Sequence, residues 1–217
     1  SFNTANHSRF KPDGYLTDYW TDEAMEVIKK NKSNPFFLYL AHYAPHTPLQ
    51  AKVEDYEAVG PIFPHRKRVY AAMIKALDRS VGNLMQTLKS EGLDDNTIII
   101  FTSDNGGADY IGLPEVNRPF RGWKRTMFEG GIRVPLFIRW PAKISEGTVV
   151  QQPVSHIDLF PTIARASESN FSKQLEIDGK NLLTLLHREE DRDWDRTDLF
   201  WQNGHYKAVR HRDWKLQ

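Results

Sequence analysis

The 217-residue sequence contains no cysteine, and this absence removes several kinds of chemistry at once. Disulfide bonds, a zinc site built from thiolates and a cysteine nucleophile are all excluded within these residues. Long hydrophobic runs are lacking too. No apolar stretch approaches the roughly 18 residues that a membrane-spanning helix needs, so no segment is predicted to cross a membrane.

An excess of charge of one sign is also missing, because 29 Lys and Arg residues are balanced by 28 Asp and Glu residues, for a formal net charge of +1. A nearly neutral chain without a recognition motif gives no reason to expect nucleic acid as a partner. The composition, with 40% apolar, 12% aromatic and 26% charged residues, is typical of a globular chain. Function must therefore be inferred from local motifs.

Three short apolar stretches have the length and composition of strands that are buried on both faces. They are Phe36–Ala41, Thr97–Phe101 and Val134–Trp140. Amphipathic segments, in which apolar residues recur every three or four positions, lie between and around them. This order predicts an α/β fold with a mostly parallel, buried sheet that is flanked by helices.

The amphipathic segments predict helices at four places along the chain. The longer two cover about 16–28 and 69–88, and the shorter two cover 156–166 and 179–186. Gly92 lies where the second of these helices should end. The residues from Leu199 onward read as a small antiparallel hairpin or sheet.

The Thr97–Phe101 stretch runs directly into Ser103, Asp104, Asn105 and two glycines. In open α/β sheets, ligands gather at the carboxyl ends of the strands, where these polar residues would lie. A carboxylate beside an amide offers two hard oxygen ligands of the kind that calcium or magnesium prefers. Asp-Asn-Gly is also common in ordinary turns, so the residues alone leave a metal site and a turn as alternatives.

Two further segments carry side chains that suit an anion site. His46 follows the Phe36–Ala41 stretch and is bracketed by prolines that stiffen its backbone. Residues 120–135, FRGWKRTMFEGGIRVP, interleave four cations with glycines and aromatic residues, which suits anion binding. Glu129 is placed to pair with one of these cations. Taken alone, the first segment is more typical of a histidine in a rigid surface loop. The second could be a basic solvated loop, but its three glycines, three aromatic residues and lone acid are unusual for one.

The ordered set of APHTPLQ, IIIFTSDNGG, FRGWKRTMFEGGIRVPLFIRWP and SHIDLFPTIA resembles the sulfatase family. The resemblance extends over nearly the whole chain, and the combination of SDNGG with GWKxxxFEGGxRVP is its most specific element. It implies an alkaline-phosphatase-like α/β fold with a small C-terminal antiparallel sheet. It also implies hydrolysis of sulfate esters, on an aromatic or sugar substrate, by a protein that is exported, periplasmic or lysosomal.

Carried over residue by residue, the resemblance implies roles for four side chains. Asp104 and Asn105 match two ligands of a bound calcium ion. Lys124 matches the lysine that contacts the sulfate group, and His46 matches the histidine near the bridging ester oxygen. Both are therefore expected to be catalytic and substrate-binding, with His46 assisting the leaving group.

The family's nucleophile does not occur in these residues. It is a formylglycine that matures from Cys or Ser in a Cys/Ser-x-Pro-x-Arg motif, and the sequence has no such motif. The aspartates that complete the calcium shell are missing as well. We therefore expect a C-terminal portion of a sulfatase, in which residues 1–190 belong to the catalytic α/β domain and 191–217 form a linker and the start of the small subdomain. Such a portion is expected to be inactive alone, and its exposed sheet edge could self-associate.

Two alternatives stay open at this stage. Calcium, lysine and histidine suit any tetrahedral anion, so a phosphoesterase or phosphonate hydrolase of the same superfamily is the nearer one. The other is a non-catalytic module that binds anions without turnover. The segment that holds the nucleophile would decide the first question, since a formylglycine motif favours sulfate and a Thr or Ser with two zinc ions favours phosphate.

Overall fold

The computed structural model describes residues 11–169, 175–186 and 194–217. The chain divides into two compact units. The first comprises the residues up to Asp95 together with Asp109–Pro114, and the second comprises Asn96–Ala108 and the residues from Glu115 onward. The border predicted between residues 190 and 191 lies outside the described ranges and stays a prediction.

The first unit is built from helices α1 (Leu16–Asn31), α2 (Val53–Ala58) and α3 (His65–Ser90). Helices α1 and α3 confirm the prediction from apolar periodicity, and each buries a stripe of small and apolar residues. Gly92 follows α3 with φ of +72°, the left-handed conformation that commonly ends a helix. Helix α2 was not predicted, because six residues are too few to show a periodic pattern.

An ion-pair network joins these three helices. Arg79 of α3 donates hydrogen bonds of 3.0 Å to both Asp18 of α1 and Asp55 of α2. The Asp55 side chain is almost fully buried, so the guanidinium compensates a charge that water cannot reach. Burial alone would raise the pKa of Asp18, but hydrogen bonds from Arg79 and Lys52 outweigh burial and lower it. Because α2 is fixed in this way, the loop that precedes it and carries His46 has a firm C-terminal anchor.

The predicted strand at Phe36–Ala41 has no strand assignment in the structure. Its side chains alternate between half-buried and exposed, and Phe37 and Tyr39 are 72% and 81% exposed. This alternation is typical of extended chain with one face packed and the other uncovered. The prediction of burial on both faces is therefore wrong for the described residues, none of which pairs with this stretch as a neighbouring strand.

The second unit contains β1 (Ile99–Thr102) and β2 (Leu136–Arg139), which correspond to the other two predicted strands. They pair antiparallel, with Thr102 opposite Leu136, so the expectation of parallel strands is wrong for this pair. Parallel neighbours need a long crossover, usually a helix. The connection from β1 to β2, which is described throughout, has only a 3₁₀ turn and the one-turn helix α4 (Glu129–Ile132). The end of β1 and the start of β2 consequently lie side by side.

The rest of the second unit consists of short helices and a separate sheet. Helices α5 (Leu159–Ala166) and α6 (Leu183–Leu186) fall within the two shorter predicted helical segments. Strands β3 (Asp198–Asn203), β4 (Tyr206–His211) and β5 (Trp214–Leu216) form an antiparallel sheet in the order β3-β4-β5, as predicted. Across the described ranges, no helix combines the length and hydrophobicity that crossing a membrane requires.

Candidate functional site

The site begins with the turn that follows β1. Asp104 and Asn105 lie just beyond the end of the strand at Thr102, where the sequence predicted them. The Ser103 hydroxyl donates to the main-chain oxygen of Asn105 at 2.8 Å, and the Asn105 amide donates to the Asp104 carboxylate. Asp104 is exposed and Asn105 is half-buried. The segment is therefore a tight polar turn, and it also presents a carboxylate and an amide to the surface.

Glycines bring this turn into direct backbone contact with the 117–131 segment. A Cβ atom on Gly106 would collide with the main-chain oxygen of Gly130, and a Cβ atom on Gly131 would collide with that of Thr126. The Gly106 N–H donates to the Gly131 oxygen at 3.0 Å. Only residues without a side chain allow backbones to approach so closely. We call the contact of Gly106 with Gly130 and Gly131 the glycine contact.

Asn117 fastens the same two segments through its side chain. Its Oδ1 accepts a hydrogen bond of 2.7 Å from the Gly107 N–H, and its Nδ2 donates to the main-chain oxygens of Gly107 at 2.8 Å and Gly122 at 3.0 Å. Sequence reasoning missed this residue, because nothing in a single sequence distinguishes one asparagine of a long loop from another.

Lys124 is positioned by the same set of contacts. Its main-chain N–H donates to the Gly107 oxygen at 3.1 Å, which holds the lysine backbone beside the turn that carries Asp104 and Asn105. The lysine is half-buried. The structure thus brings together the main chains of three of the four predicted site residues, Asp104, Asn105 and Lys124.

Three other charged residues of the 120–135 segment, Arg121, Glu129 and Arg133, have partners of their own. Glu129 pairs with Lys215 of β5 at 2.8 Å and lies 3.7 Å from Arg133. The prediction that Glu129 pairs with a cation of its own segment is confirmed for Arg133, although the shorter contact is with Lys215. The guanidinium of Arg121 stacks 4.2 Å above the ring of Phe128. These contacts engage the acid and two of the cations in holding the segment together.

His46, the fourth predicted residue, belongs to the first unit and is exposed. Its Nδ1 lies 2.8 Å from the main-chain oxygen of Thr47. A carbonyl oxygen can only accept, so Nδ1 carries the proton of the neutral ring and Nε2 is left as an acceptor. The hydroxyl of Tyr110 lies 3.3 Å from that Nε2. Sequence reasoning did not identify Tyr110, because nothing in a single sequence marks one tyrosine of an irregular loop.

The donor set can be compared with what calcium needs. Calcium takes six to eight oxygen ligands, and the turn offers the carboxylate of Asp104 and the amide oxygen of Asn105. Within the described ranges, no group of three His, Cys, Asp or Glu side chains could hold a metal ion. The Asn105 amide also directs its N–H at Asp104, so the amide must rotate before both oxygens can face one ion. Asp104 and Asn105 offer two of the oxygen ligands that a calcium ion needs, and their assignment as calcium ligands stays a prediction.

Comparisons with known proteins agree with one another. A family model named "Sulfatase" matches residues 1–169. A sulfatase of Formosa agariphila is 34% identical over 90% of this chain and 38% of its own length, and arylsulfatase J of Mus musculus is 31% identical over 93% and 37%. The crystal structure of Ps i-CgsB in complex with k-i-k-neocarrahexaose is 38% identical with a TM-score of 0.86, and the match covers 97% of this chain and 47% of that one. The chain therefore spans less than half the length of each of these relatives.

The role given to Asn117 predicts the behaviour of an Asn117→Ala variant. Removal of the amide takes one hydrogen-bond partner from the Gly107 N–H and from the main-chain oxygens of Gly107 and Gly122, although the Gly107 oxygen keeps the Lys124 N–H. The loss should cost about 1–3 kcal/mol of unfolding free energy. Hydrogen exchange at the Gly107 and Lys124 amides should become faster. Asn96→Ala is the control, because Asn96 accepts a single exposed bond of 3.4 Å from Trp140. Unchanged exchange at both amides in Asn117→Ala would contradict the assigned role.

Proposed function

The chain belongs to the sulfatase family, and we propose that it forms part of an enzyme that hydrolyses sulfate esters. The fold of its structural relatives is the alkaline-phosphatase-like α/β fold. One observation carries the proposal beyond family membership: the hydrogen bond from Lys124 N–H to the Gly107 oxygen places the lysine beside the Asp104-Asn105 turn. A lysine beside oxygen ligands that could hold a calcium ion would put two cations near one another, which suits binding of an anionic sulfate group.

Lys124 is proposed to bind the sulfate group and to stabilise the charge that develops on its oxygens during cleavage. A preorganised cation acts strongly here because it needs no reorganisation at the moment of reaction. Asp104 and Asn105 are proposed to supply part of a calcium shell whose other ligands lie outside the described residues. Bound calcium would add charge neutralisation at the same oxygens.

His46 is proposed to supply the proton to the leaving group. Its Nδ1 is held by the Thr47 oxygen, so Nε2 is the nitrogen that can gain a proton and pass it on. As the nucleophile forms a bond to sulfur and the S–O bond to the alcohol breaks, the Nε2 proton of the protonated ring moves to the bridging oxygen, and the alcohol departs neutral. The nucleophile is proposed to be a formylglycine outside these 217 residues, because no Cys/Ser-x-Pro-x-Arg motif occurs within them.

The substrate is proposed to be a sulfated saccharide. The support is the structural relative at 38% identity, whose crystal structure holds k-i-k-neocarrahexaose. That match covers 97% of this chain, so nearly all of these residues have a counterpart in the relative.

Residues 1–217 on their own are proposed to bind calcium weakly and to be inactive. Two ligands out of six to eight leave the ion under-coordinated. The motif that would yield the formylglycine nucleophile does not occur in these residues. The Phe36–Ala41 stretch, which pairs with no strand among the described residues, is proposed to be the edge along which further sheet strands pair. Without such strands, this edge would favour self-association.

The first prediction concerns Lys124→Ala in the complete enzyme. Turnover of a sulfate ester should fall roughly a hundredfold or more, the range found when one charge-stabilising donor is removed. Lys143→Ala is the control for loss of a lysine elsewhere in the same unit. Sulfate release gives the rate, and circular dichroism checks folding. A folded Lys124→Ala variant with near-normal turnover would show that the role is wrongly assigned.

The second prediction concerns His46→Ala. A good leaving group needs little proton donation in the transition state, so the variant should lose far more activity on alkyl or sugar sulfates than on activated aryl sulfates. His65→Ala is the control, since His65 is also an exposed histidine of the first unit but contacts the hydroxyl of Tyr56. The measurement is kcat/KM across a leaving-group series. Equal losses across the series would instead indicate a role in sulfate binding or in structure.

A further inference from the structure

Tyr110 contacts the one atom through which His46 is proposed to act. Its hydroxyl lies 3.3 Å from His46 Nε2, and the two ring centroids are 6.4 Å apart. Because Nδ1 donates to the Thr47 oxygen, Nε2 of the neutral ring has a lone pair, and the hydroxyl is the donor. When the ring is protonated, the same hydroxyl oxygen can accept from Nε2–H. The tyrosine can therefore keep its contact with His46 in both protonation states, until a bound bridging oxygen takes its place as the acceptor of the Nε2 proton.

The fold fixes the main chain of Tyr110 and leaves its side chain open. The residue is the middle one of the 3₁₀ turn Asp109–Ile111. On its C-terminal side, Ile111 and Leu113 are buried, and the guanidinium of Arg66 donates to the Ile111 oxygen at 3.2 Å. This bond attaches the turn to α3 of the same unit. The Tyr110 side chain nevertheless remains 47% exposed, so a large aromatic ring on an anchored turn is free to meet a ligand.

We propose that Tyr110 is a specificity-determining residue that contacts the alcohol part of the sulfate ester, next to the bridging oxygen. The inference rests on the proposed function. A group that receives a proton from Nε2 must come within hydrogen-bond reach of it, about 2.6–3.2 Å. The Tyr110 hydroxyl already occupies that neighbourhood, so whatever is attached to the bridging oxygen must lie against the tyrosine.

The chemistry of the phenol suits a saccharide on the alcohol side. Tyrosine presents a large apolar face and a polar tip, which together match the apolar face of a sugar ring and its hydroxyl groups. In the proposed function the sulfate oxygens are assigned to Lys124 and the metal ligands, and the alcohol part alone is assigned to Tyr110. Loss of the tyrosine should therefore affect recognition of the sugar and leave recognition of sulfate unchanged.

The test compares Tyr110→Ala, Tyr110→Phe and wild type in the complete protein, with k-i-k-neocarrahexaose as the saccharide probe. Tyr110→Ala should raise KM for the saccharide about tenfold, the discrimination that a single contact of this kind provides. The inhibition constant of inorganic sulfate, which has no alcohol part, should stay the same. Tyr110→Phe keeps the ring and should retain most of the affinity.

Tyr43→Phe is the matched control. The Tyr43 ring also packs against His46, with centroids 5.1 Å apart, but its hydroxyl donates to the Thr47 oxygen at 2.7 Å and not to the imidazole. The variant should leave KM for the saccharide unchanged, whatever its effect on kcat. A Tyr110→Ala variant that changes neither constant, or that weakens saccharide and sulfate equally, would overturn the proposal.

Calorimetric binding of the same saccharide separates this inference from the proposed function, because it needs no turnover. If wild type binds the saccharide without hydrolysing any sulfate ester, and Tyr110→Ala binds it about tenfold more weakly, then the role of Tyr110 stands and the proposed reaction fails. Equal binding by wild type and Tyr110→Ala overturns the role of Tyr110. Sulfate release by wild type, measured alongside, then decides whether the proposed reaction survives.

Discussion

The glycine contact is the constraint on which the candidate site depends. The backbone of Gly106 lies against Gly130 and Gly131 so closely that a single added methyl group would strike a main-chain oxygen. With the two segments held in this way, the Gly107 oxygen accepts a hydrogen bond from the Lys124 N–H. The Asn117 side chain also bridges the main-chain oxygens of Gly107 and Gly122. Two motifs that are separate in the sequence thereby become one structure, and a lysine is held beside a carboxylate turn.

Much of the fold could be predicted from the sequence, because an element that buries one face has apolar residues at regular intervals. Helices α1 and α3 and the C-terminal sheet were predicted in this way. The direction of strand pairing could not be predicted, because an apolar stretch indicates a buried strand but does not indicate in which direction the neighbouring strand runs. The antiparallel pairing of β1 with β2 follows from the loop between them, which has no crossover helix.

The chemically active residues of the candidate site could be predicted from the sequence, but the residues that hold them in place could not. Carboxylate, amide, lysine and histidine are chemically distinctive residue types, so they stand out within a motif. The groups that hold them do not: Asn117 and Tyr110 lie in an irregular loop, and the partner of Glu129 is Lys215, which is 86 residues further along the chain. Contacts across such distances depend on the folded chain and leave no local pattern in a single sequence.

The most direct measurement is release of inorganic sulfate from a sulfated saccharide by the complete protein and by its Gly106→Ala variant. Gly82→Ala is the control, because a Cβ atom at Gly82 meets nothing and alanine favours the interior of α3. The account predicts that wild type and Gly82→Ala release sulfate, and that Gly106→Ala loses about a hundredfold or more of the rate because Lys124 is displaced. Wild-type rates in Gly106→Ala, or no release from any sulfate ester by the wild-type protein, would contradict it.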